Sequence, residues 1–183
     1  YLKLALPFTN TWKQNKELVL EHNHKLEKVL EHCELAVVGL GLEGLGKASV
    51  VNKSIVDKLP SLFEQGKKHD IEGLVSGLYG VGLMGYNQKV ADLFLQEIVN
   101  HPELETLSVS SLLKALWGQC VFGVTNESNA KVLIDRLDNF KIEYCSEEEV
   151  ELLKDIGLAL ETQFKDKPEY QSSALKEGVS YAR

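Results

Sequence analysis

The chain has 183 residues, of which 44% are hydrophobic and 26% charged, and this balance predicts a folded domain with a sizeable core. Its 27 acidic residues outnumber its 20 basic residues, so the net charge is −7, which counts against strong binding to a nucleic-acid backbone. No apolar run approaches the roughly 20 residues that cross a bilayer, so we expect no membrane insertion.

The N-terminal segment comes first in chain order. Residues 1–25 are predicted to form an extension with a lead-in helix near residues 11–22. Because the chain begins at Tyr1 without Met, we expect a processed or trimmed form from which any targeting peptide has been removed. The apolar stretch from Tyr1 to Phe8 could pack along the rest of the fold or reach another protein.

The rest of the chain repeats with a period of about 39 residues. Four similar segments have their first leucines at positions 35, 74, 112 and 152, which are 39, 38 and 40 residues apart. A second register, formed by Ile55, Phe94 and Leu133, has a spacing of 39 residues. Apolar residues recur every three or four positions, as in helices. A period of this length that holds two helices is typical of a helical-hairpin solenoid.

The sequence therefore predicts an all-α fold, an α-solenoid of three to four helical hairpins with seven or eight helices. The array is predicted over residues 26–164, and residues 165–183 form a polar tail. The first helix of each hairpin, called the A helix, is predicted near residues 26–44, 70–84, 108–122 and 147–164. The second, called the B helix, is predicted near residues 49–64, 87–100 and 127–139. Predicted N-caps are Asp70 and Ser146, the latter in a capping box with Glu149, for A helices, and Asn87 and Asn126 for B helices.

Glycines and aromatic residues recur at fixed repeat positions. Gly46, Gly85 and Gly123 share one position, where a left-handed residue would close the A helix. A second set of glycines lies five residues earlier, and because glycine inside a helix costs roughly 1 kcal/mol against alanine, we expect close helix approach there. An aromatic pair at a third position is interpreted as core, with a base-stacking ladder as the alternative. The predicted packing residues are Gly41, Gly46, Gly80, Gly85, Gly118, Gly123, Tyr79 and Trp117.

One glycine run resembles a dinucleotide-binding loop. The segment Gly39-Leu40-Gly41-Leu42-Glu43-Gly44 follows an apolar stretch, and Asp57 could act as the acid that binds a ribose. However, a helical pattern runs into the motif, no parallel strands follow, and a similar run recurs at residues 80–85. We therefore predict packing glycines, and a dinucleotide-dependent enzyme is the third hypothesis.

Histidines and cysteines form no recognisable catalytic or metal-binding pattern. His22, His24 and His32 cluster with Cys33, but the histidines lack the i,i+4 spacing that places two ligands on one helix face. The three cysteines have no CxxC spacing, and Cys120 is interpreted as a small core residue. The sequence therefore predicts a non-enzyme with no catalytic residues, metal or cofactor, in a reducing compartment.

The repeat resembles a known group. The phrases Gly77-Leu78-Tyr79-Gly80-Val81-Gly82 and Leu112-Leu113-Lys114-Ala115-Leu116-Trp117-Gly118, at their spacing, look like organellar helical-hairpin repeats, which include pentatricopeptide, octotricopeptide and FAST-kinase-type repeats. The resemblance covers about residues 26–164 and implies a mitochondrial or plastid address. Base-reading positions of pentatricopeptide repeats depend on a 35-residue unit, so no RNA-contact residue is carried over.

Some members of this group are structural parts of mitochondrial assemblies. One is a pentatricopeptide-like subunit attached to the α subunit of F1-ATPase in some protists, and this chain is similar in being short, acidic and roughly seven-helical. The resemblance implies an accessory subunit of the F1 part of ATP synthase, on the matrix side of mitochondria, with the F1 α subunit as partner. The alternative is an RNA-binding or mitoribosomal repeat protein with a groove lined by Lys89, Lys114, Lys131 and Arg136.

Overall fold

The computed structural model describes residues 16–64, 69–124, 126–140, 145–167, 170 and 175. These ranges contain helices and no strands, which confirms the predicted all-α helical-repeat fold. Short 3-10 turns lie at Leu30–His32 and Leu104–Thr106. The α-helices are α1 (Lys16–Val29), α2 (Leu35–Lys47), α3 (Lys53–Phe63), α4 (Ile71–Met84), α5 (Gln88–Val99), α6 (Val109–Cys120), α7 (Glu127–Leu137) and α8 (Glu147–Gln163).

The helices pack in two layers. The A helices α2, α4, α6 and α8 lie side by side in chain order, with α4 between α2 and α6, and α6 between α4 and α8. In the B layer, α5 contacts both α3 and α7. Helix α1 packs on α2, and the Asn52 side-chain amide donates a 2.7 Å hydrogen bond to Asn23 Oδ1, which places α1 beside the start of α3. The first A helix is therefore covered by α1.

The core is formed by the residues that mark the repeat in the sequence. Burial of these large apolar side chains is the main stabilising contribution, about 1.5–3 kcal/mol for each. Because each hairpin buries side chains from the same repeat positions, neighbouring repeats stack to form one continuous core. The first leucines of the four segments, Leu35, Leu74, Leu112 and Leu152, are at most 6% exposed, and Ile55, Phe94 and Leu133 are fully buried.

The predicted A helix over residues 26–44 is wrong. Helix α1 continues to Val29, a 3-10 turn follows, and the extended backbone of Cys33 and Glu34 separates it from α2. The break lets α1 fold back, so that Leu26 meets α2 at Gly41 and is fully buried. The predicted lead-in helix, near residues 11–22, therefore ends later than expected, and residues 11–15 lie outside the described ranges.

Short polar side chains begin the helices as predicted. Asp70 Oδ2 accepts a 2.9 Å hydrogen bond from the Gly73 amide, and Ser146 forms the capping box with Glu149. Asn87 and Asn126 likewise accept from backbone amides of α5 and α7. Each cap satisfies an amide that has no partner within its own helix.

The turns that follow the A helices differ from the prediction at one position. Gly85 and Gly123 are left-handed, with φ of 60° and 74°. Gly46 is not: it lies inside α2, and Ser49, with φ of 56°, is the left-handed residue three positions later. The expectation for Gly46 is wrong because α2 continues to Lys47, which moves the turn further along the chain.

Candidate functional site

The outer face of the A layer carries linked charged side chains around Glu43 of α2. Lys114 Nζ of α6 lies 2.8 Å from Glu43 Oε1, and Lys47 Nζ lies 3.0 Å from the same oxygen. Burial opposes ionisation of Glu43, but hydrogen bonds from Lys114, Ser76 and Lys47 and the charge of Lys114 together hold its pKa below the usual 4.5. The carboxylate is therefore ionised at neutral pH and joins three successive A helices.

Tyr79 of α4 lies beneath these lysines. Its ring is 5.5 Å from Lys114 Nζ and 5.9 Å from Lys47 Nζ, and the ring of Trp117 packs edge-on at a centroid distance of 5.2 Å. Burial, with the negative charges of Glu148, Glu43 and Asp155, raises the pKa of Tyr79 to about 12. Only 6% of Tyr79 is exposed, so its ring face is covered and offers no platform on which a base could stack.

Trp117 marks the edge of an open groove between α6 and α8. The groove has a volume of about 480 Å³ and is bridged at two places along the helices. At one, Trp117 Nε1 donates a 3.0 Å hydrogen bond to Asp155 Oδ2. At the other, Gln163 accepts from the Val124 amide at 2.8 Å and donates to the Val124 carbonyl at 2.7 Å. The lining residues are Trp117, Cys120, Val121, Asp155, Leu158, Ala159, Thr162 and Gln163.

The predicted packing glycines have different surroundings in the structure. A Cβ on Gly80 would lie 2.4 Å from the Leu42 carbonyl carbon, and one on Gly118 would lie 2.9 Å from the Leu78 carbonyl oxygen. A Cβ on Gly46 would lie 2.7 Å from Leu83 Cβ, and the three atoms nearest to one on Gly41 would all belong to the Leu26 side chain. Gly85 has nothing within 4 Å, and Gly123 only the Gln163 side chain at 3.9 Å, so these two serve the turns.

The glycine run of the dinucleotide-like motif lies wholly within α2. A Cβ on Gly39 would lie 1.9 Å from the Gly73 carbonyl oxygen, and one on Gly73 would lie 2.3 Å from the Ala36 Cα. The motif is thus a helix surface in backbone contact with α4, not a turn between a strand and a helix. Gly39 and Gly73, where the backbones of α2 and α4 come closest, were not among the predicted packing residues.

The four basic residues proposed to line an RNA groove are distributed over both layers. Lys114 lies on the A helix α6 and pairs with Glu43, whereas Lys89 lies on the B helix α5 and is exposed. On the B helix α7, Lys131 pairs with Asp135, and Arg136 NH1 lies 2.9 Å from Glu105 Oε2. These residues therefore do not form a single basic groove, and three of the four are paired with carboxylates.

The described residues hold no recognisable reactive centre. No group of three or more His, Cys, Asp or Glu side chains within them could hold a metal ion. Burial raises the pKa of the Cys120 thiol to about 12, and burial with the nearby Glu149 raises the pKa of Cys145. Both thiols are therefore protonated at neutral pH and are weak nucleophiles. None of the helices in the described ranges combines the length and apolar character needed to span a bilayer.

The fold defines an all-α helical-repeat protein. No family model, curated protein or solved structure matches this chain. Two features of its own surface bear on function. One is the outer face of the A layer, where Lys114 and Lys47 are paired with Glu43 and the ring of Tyr79 is covered; the other is the open groove between α6 and α8. Asp155 and Leu158 were not among the residues predicted from the sequence; the signal that could have found Asp155 is its position 38 residues after Trp117, which is one repeat period.

Proposed function

We propose that the chain is a non-catalytic helical-repeat subunit that docks by its surface onto a larger mitochondrial assembly, with the F1 part of ATP synthase as the preferred host. The observation that carries the docking role is the open groove between α6 and α8, where Leu158 is 67% exposed. Leu158 and Val121 are both exposed and line the same groove, and neighbouring apolar side chains of this kind favour a surface that another protein covers. The mitochondrial address and the F1 host come from the resemblance to organellar repeats.

The rest of the A face supports a protein partner over RNA. RNA binding requires cationic groups that are free to neutralise phosphates, and rings that are free to stack on bases. Lys114 and Lys47 are already paired with Glu43, and the ring of Tyr79 is covered. The net charge of −7 adds long-range repulsion of phosphates.

A stacked helical fold suits a docking subunit because its shape is maintained without a ligand. The α2–α4 contact is made through backbone atoms at Gly39 and Gly73, which leaves little freedom for one helix to slide on the next. The hydrogen bonds and ion pairs of Glu43 also connect α2 to α4 and α6. A preorganised surface loses less conformational entropy on association, so more of the contact energy appears as affinity.

The test is to tag the protein in its own organism, solubilise mitochondria gently and separate complexes on a native gel. Mass spectrometry of the band that contains the tagged chain identifies its host. Stoichiometric F1 α and β subunits are the expected result. Co-migration with ribosomal proteins, or nanomolar binding of single-stranded RNA that weakens steeply with salt, would overturn the proposal in favour of a mitoribosomal or RNA-binding role.

A further inference from the structure

The groove between α6 and α8 has an apolar wall that solvent reaches. On α8, Leu158 is 67% exposed, and on the α6 side Val121 is 43% exposed, with Ala159 and Trp117 lining the space between them. Burial of such side chains is favourable at about 25 cal/mol per Å² of apolar area, so a partner with apolar side chains gains by covering them. The bridges Trp117–Asp155 and Gln163–Val124 hold the two walls together.

The charge of the helix that carries Leu158 is net negative. Helix α8 carries six acidic residues and one basic residue, Lys154, which is 2.6 Å from Glu151. Because side chains three, four and seven positions apart lie on one side of a helix, Glu161 and Glu151 share a side of α8 with Leu158. Lys154 lies on that side too and offsets the charge of Glu151, which leaves Glu161 as the exposed carboxylate next to Leu158. Asp155 adds a further carboxylate at the groove edge. An occupant with basic groups beside its apolar side chains would therefore be attracted, and an acidic occupant repelled.

We infer that this groove binds a basic amphipathic segment of a partner protein, with an apolar side chain against Leu158 and Val121 and Lys or Arg side chains against the acidic flank of α8. The inference rests on the proposed docking function and specifies the partner's chemistry at the docking site. An open groove along two helices suits a peptide segment laid lengthwise, in the manner of helix-in-groove recognition. The segment contributes affinity through its apolar side chain, and specificity through its charges.

The test uses the full chain and three synthetic peptides, with binding measured by calorimetry. The first peptide is an amphipathic helix of leucine and lysine, the second has glutamate in place of lysine, and the third has serine in place of leucine. We expect binding of the first alone, weakened by added salt. Leu158→Asn and Val121→Asn should each weaken it about tenfold or more, a loss that is typical of an apolar anchor.

Matched controls separate the groove from general attraction to an acidic protein. Leu20 on α1 is 48% exposed and Val132 on α7 is 41% exposed, so Leu20→Asn and Val132→Asn remove similar apolar surface elsewhere. These two variants should bind the leucine–lysine peptide as the unaltered chain does. Replacing Glu151 and Glu161 together by glutamine should weaken binding and reduce its salt dependence, whereas the same change at Glu64 and Glu97 on the B side should not.

Equal loss of binding in the groove and control variants, or equal binding of the glutamate peptide, would overturn the inference. Peptide binding that occurs only after deletion of residues 1–8 would overturn it too, because the occupant would then be the chain's own apolar segment.

The native-gel experiment distinguishes the inference about the groove from the proposed docking function. If the Leu158→Asn chain still co-migrates with F1, the groove assignment is wrong and the docking function stands; if the groove binds peptide but the unaltered chain lacks F1, only the host is wrong.

Discussion

Glu43 of α2 accepts a 2.8 Å hydrogen bond from Lys114 of α6, which lies 71 residues further along the chain. Helix α4 lies between these two helices and contributes Ser76, which also hydrogen-bonds to the carboxylate. The pair thus connects the first repeat to the third across the second. Since the Glu43 side chain is only 11% exposed, solvent screens this interaction less than it screens surface ion pairs.

Replacing Glu43 by glutamine should lower the free energy of unfolding by about 1–3 kcal/mol at neutral pH, because charge-assisted bonds from Lys114 and Lys47 are lost. The folded-state pKa of Glu43 lies below 4.5, so its stabilising contribution is present above pH 4.5 and is lost as the pH falls through the lower folded value. Urea denaturation of both proteins across this range should therefore give converging stabilities on the acidic side. Glu151→Gln, which alters the exposed pair with Lys154, is the control and should change stability little. A constant difference at every pH would contradict the assignment.

Removing the other partner should be more costly. Lys114→Met leaves the Glu43 carboxylate buried with Lys47 as its remaining cation, and breaking a buried pair from one side typically costs about 3 kcal/mol or more. The double variant Glu43→Gln, Lys114→Met should be less destabilised than the sum of the two single changes, because no uncompensated charge remains. Thermal or chemical unfolding of the four proteins measures this coupling. Additive effects would mean that the two side chains do not interact.

The repeat was predictable because its core positions recur. Leu74, Phe94 and Leu112 occupy positions that are apolar in every repeat, and all three are buried. The apolar pattern in the sequence is predictive because apolar side chains recur where the fold buries them. Helix starts were predictable for a similar reason, since Asp70 and Ser146 are residue types that cap amides through their own side chains. The fold class and the helix positions from α4 onward therefore followed from local chemistry, whereas those of α1 and α2 did not.

Features that depend on the relative placement of distant helices were not predictable in this way. The break at Cys33 and Glu34 has no glycine or proline signal, and it is favoured by the burial of Leu26 against α2. The Glu43–Lys114 pair has no local spacing rule, because its partners meet only across α4. Contacts between adjacent repeats did leave a signal: Glu72–Ser111, Trp117–Asp155 and Val124–Gln163 each span 38 or 39 residues, close to one period.

The surroundings of two glycines predict different outcomes when each is replaced by alanine. Gly80→Ala would place a Cβ 2.4–2.6 Å from backbone atoms of Leu42 and Glu43, so the helices must separate, and we expect destabilisation by about 3 kcal/mol or more. Gly41→Ala would place a Cβ 2.7 Å from the end of the buried Leu26 side chain of α1, which can shift more easily than backbone. The gain in helix propensity of up to about 1 kcal/mol should offset part of that strain, so we expect a smaller destabilisation than at Gly80. Thermal unfolding followed by circular dichroism compares the two variants. Equal destabilisation would show that the close backbone approach at Gly80 is not required.

Cys120 should be the least reactive thiol when the protein is folded. Burial raises its pKa to about 12, so at pH 8 the thiolate that attacks alkylating reagents is a very small fraction of the thiol. We expect its modification by iodoacetamide to be about a thousandfold slower in the folded chain than in urea, where its pKa returns to an ordinary value. Mass spectrometry of peptides that contain Cys33, Cys120 and Cys145 gives each rate separately, and the urea sample is the control. Rapid modification of Cys120 in the folded chain would mean that reagent reaches the thiol through the open groove, which Cys120 lines, and that burial does not protect it.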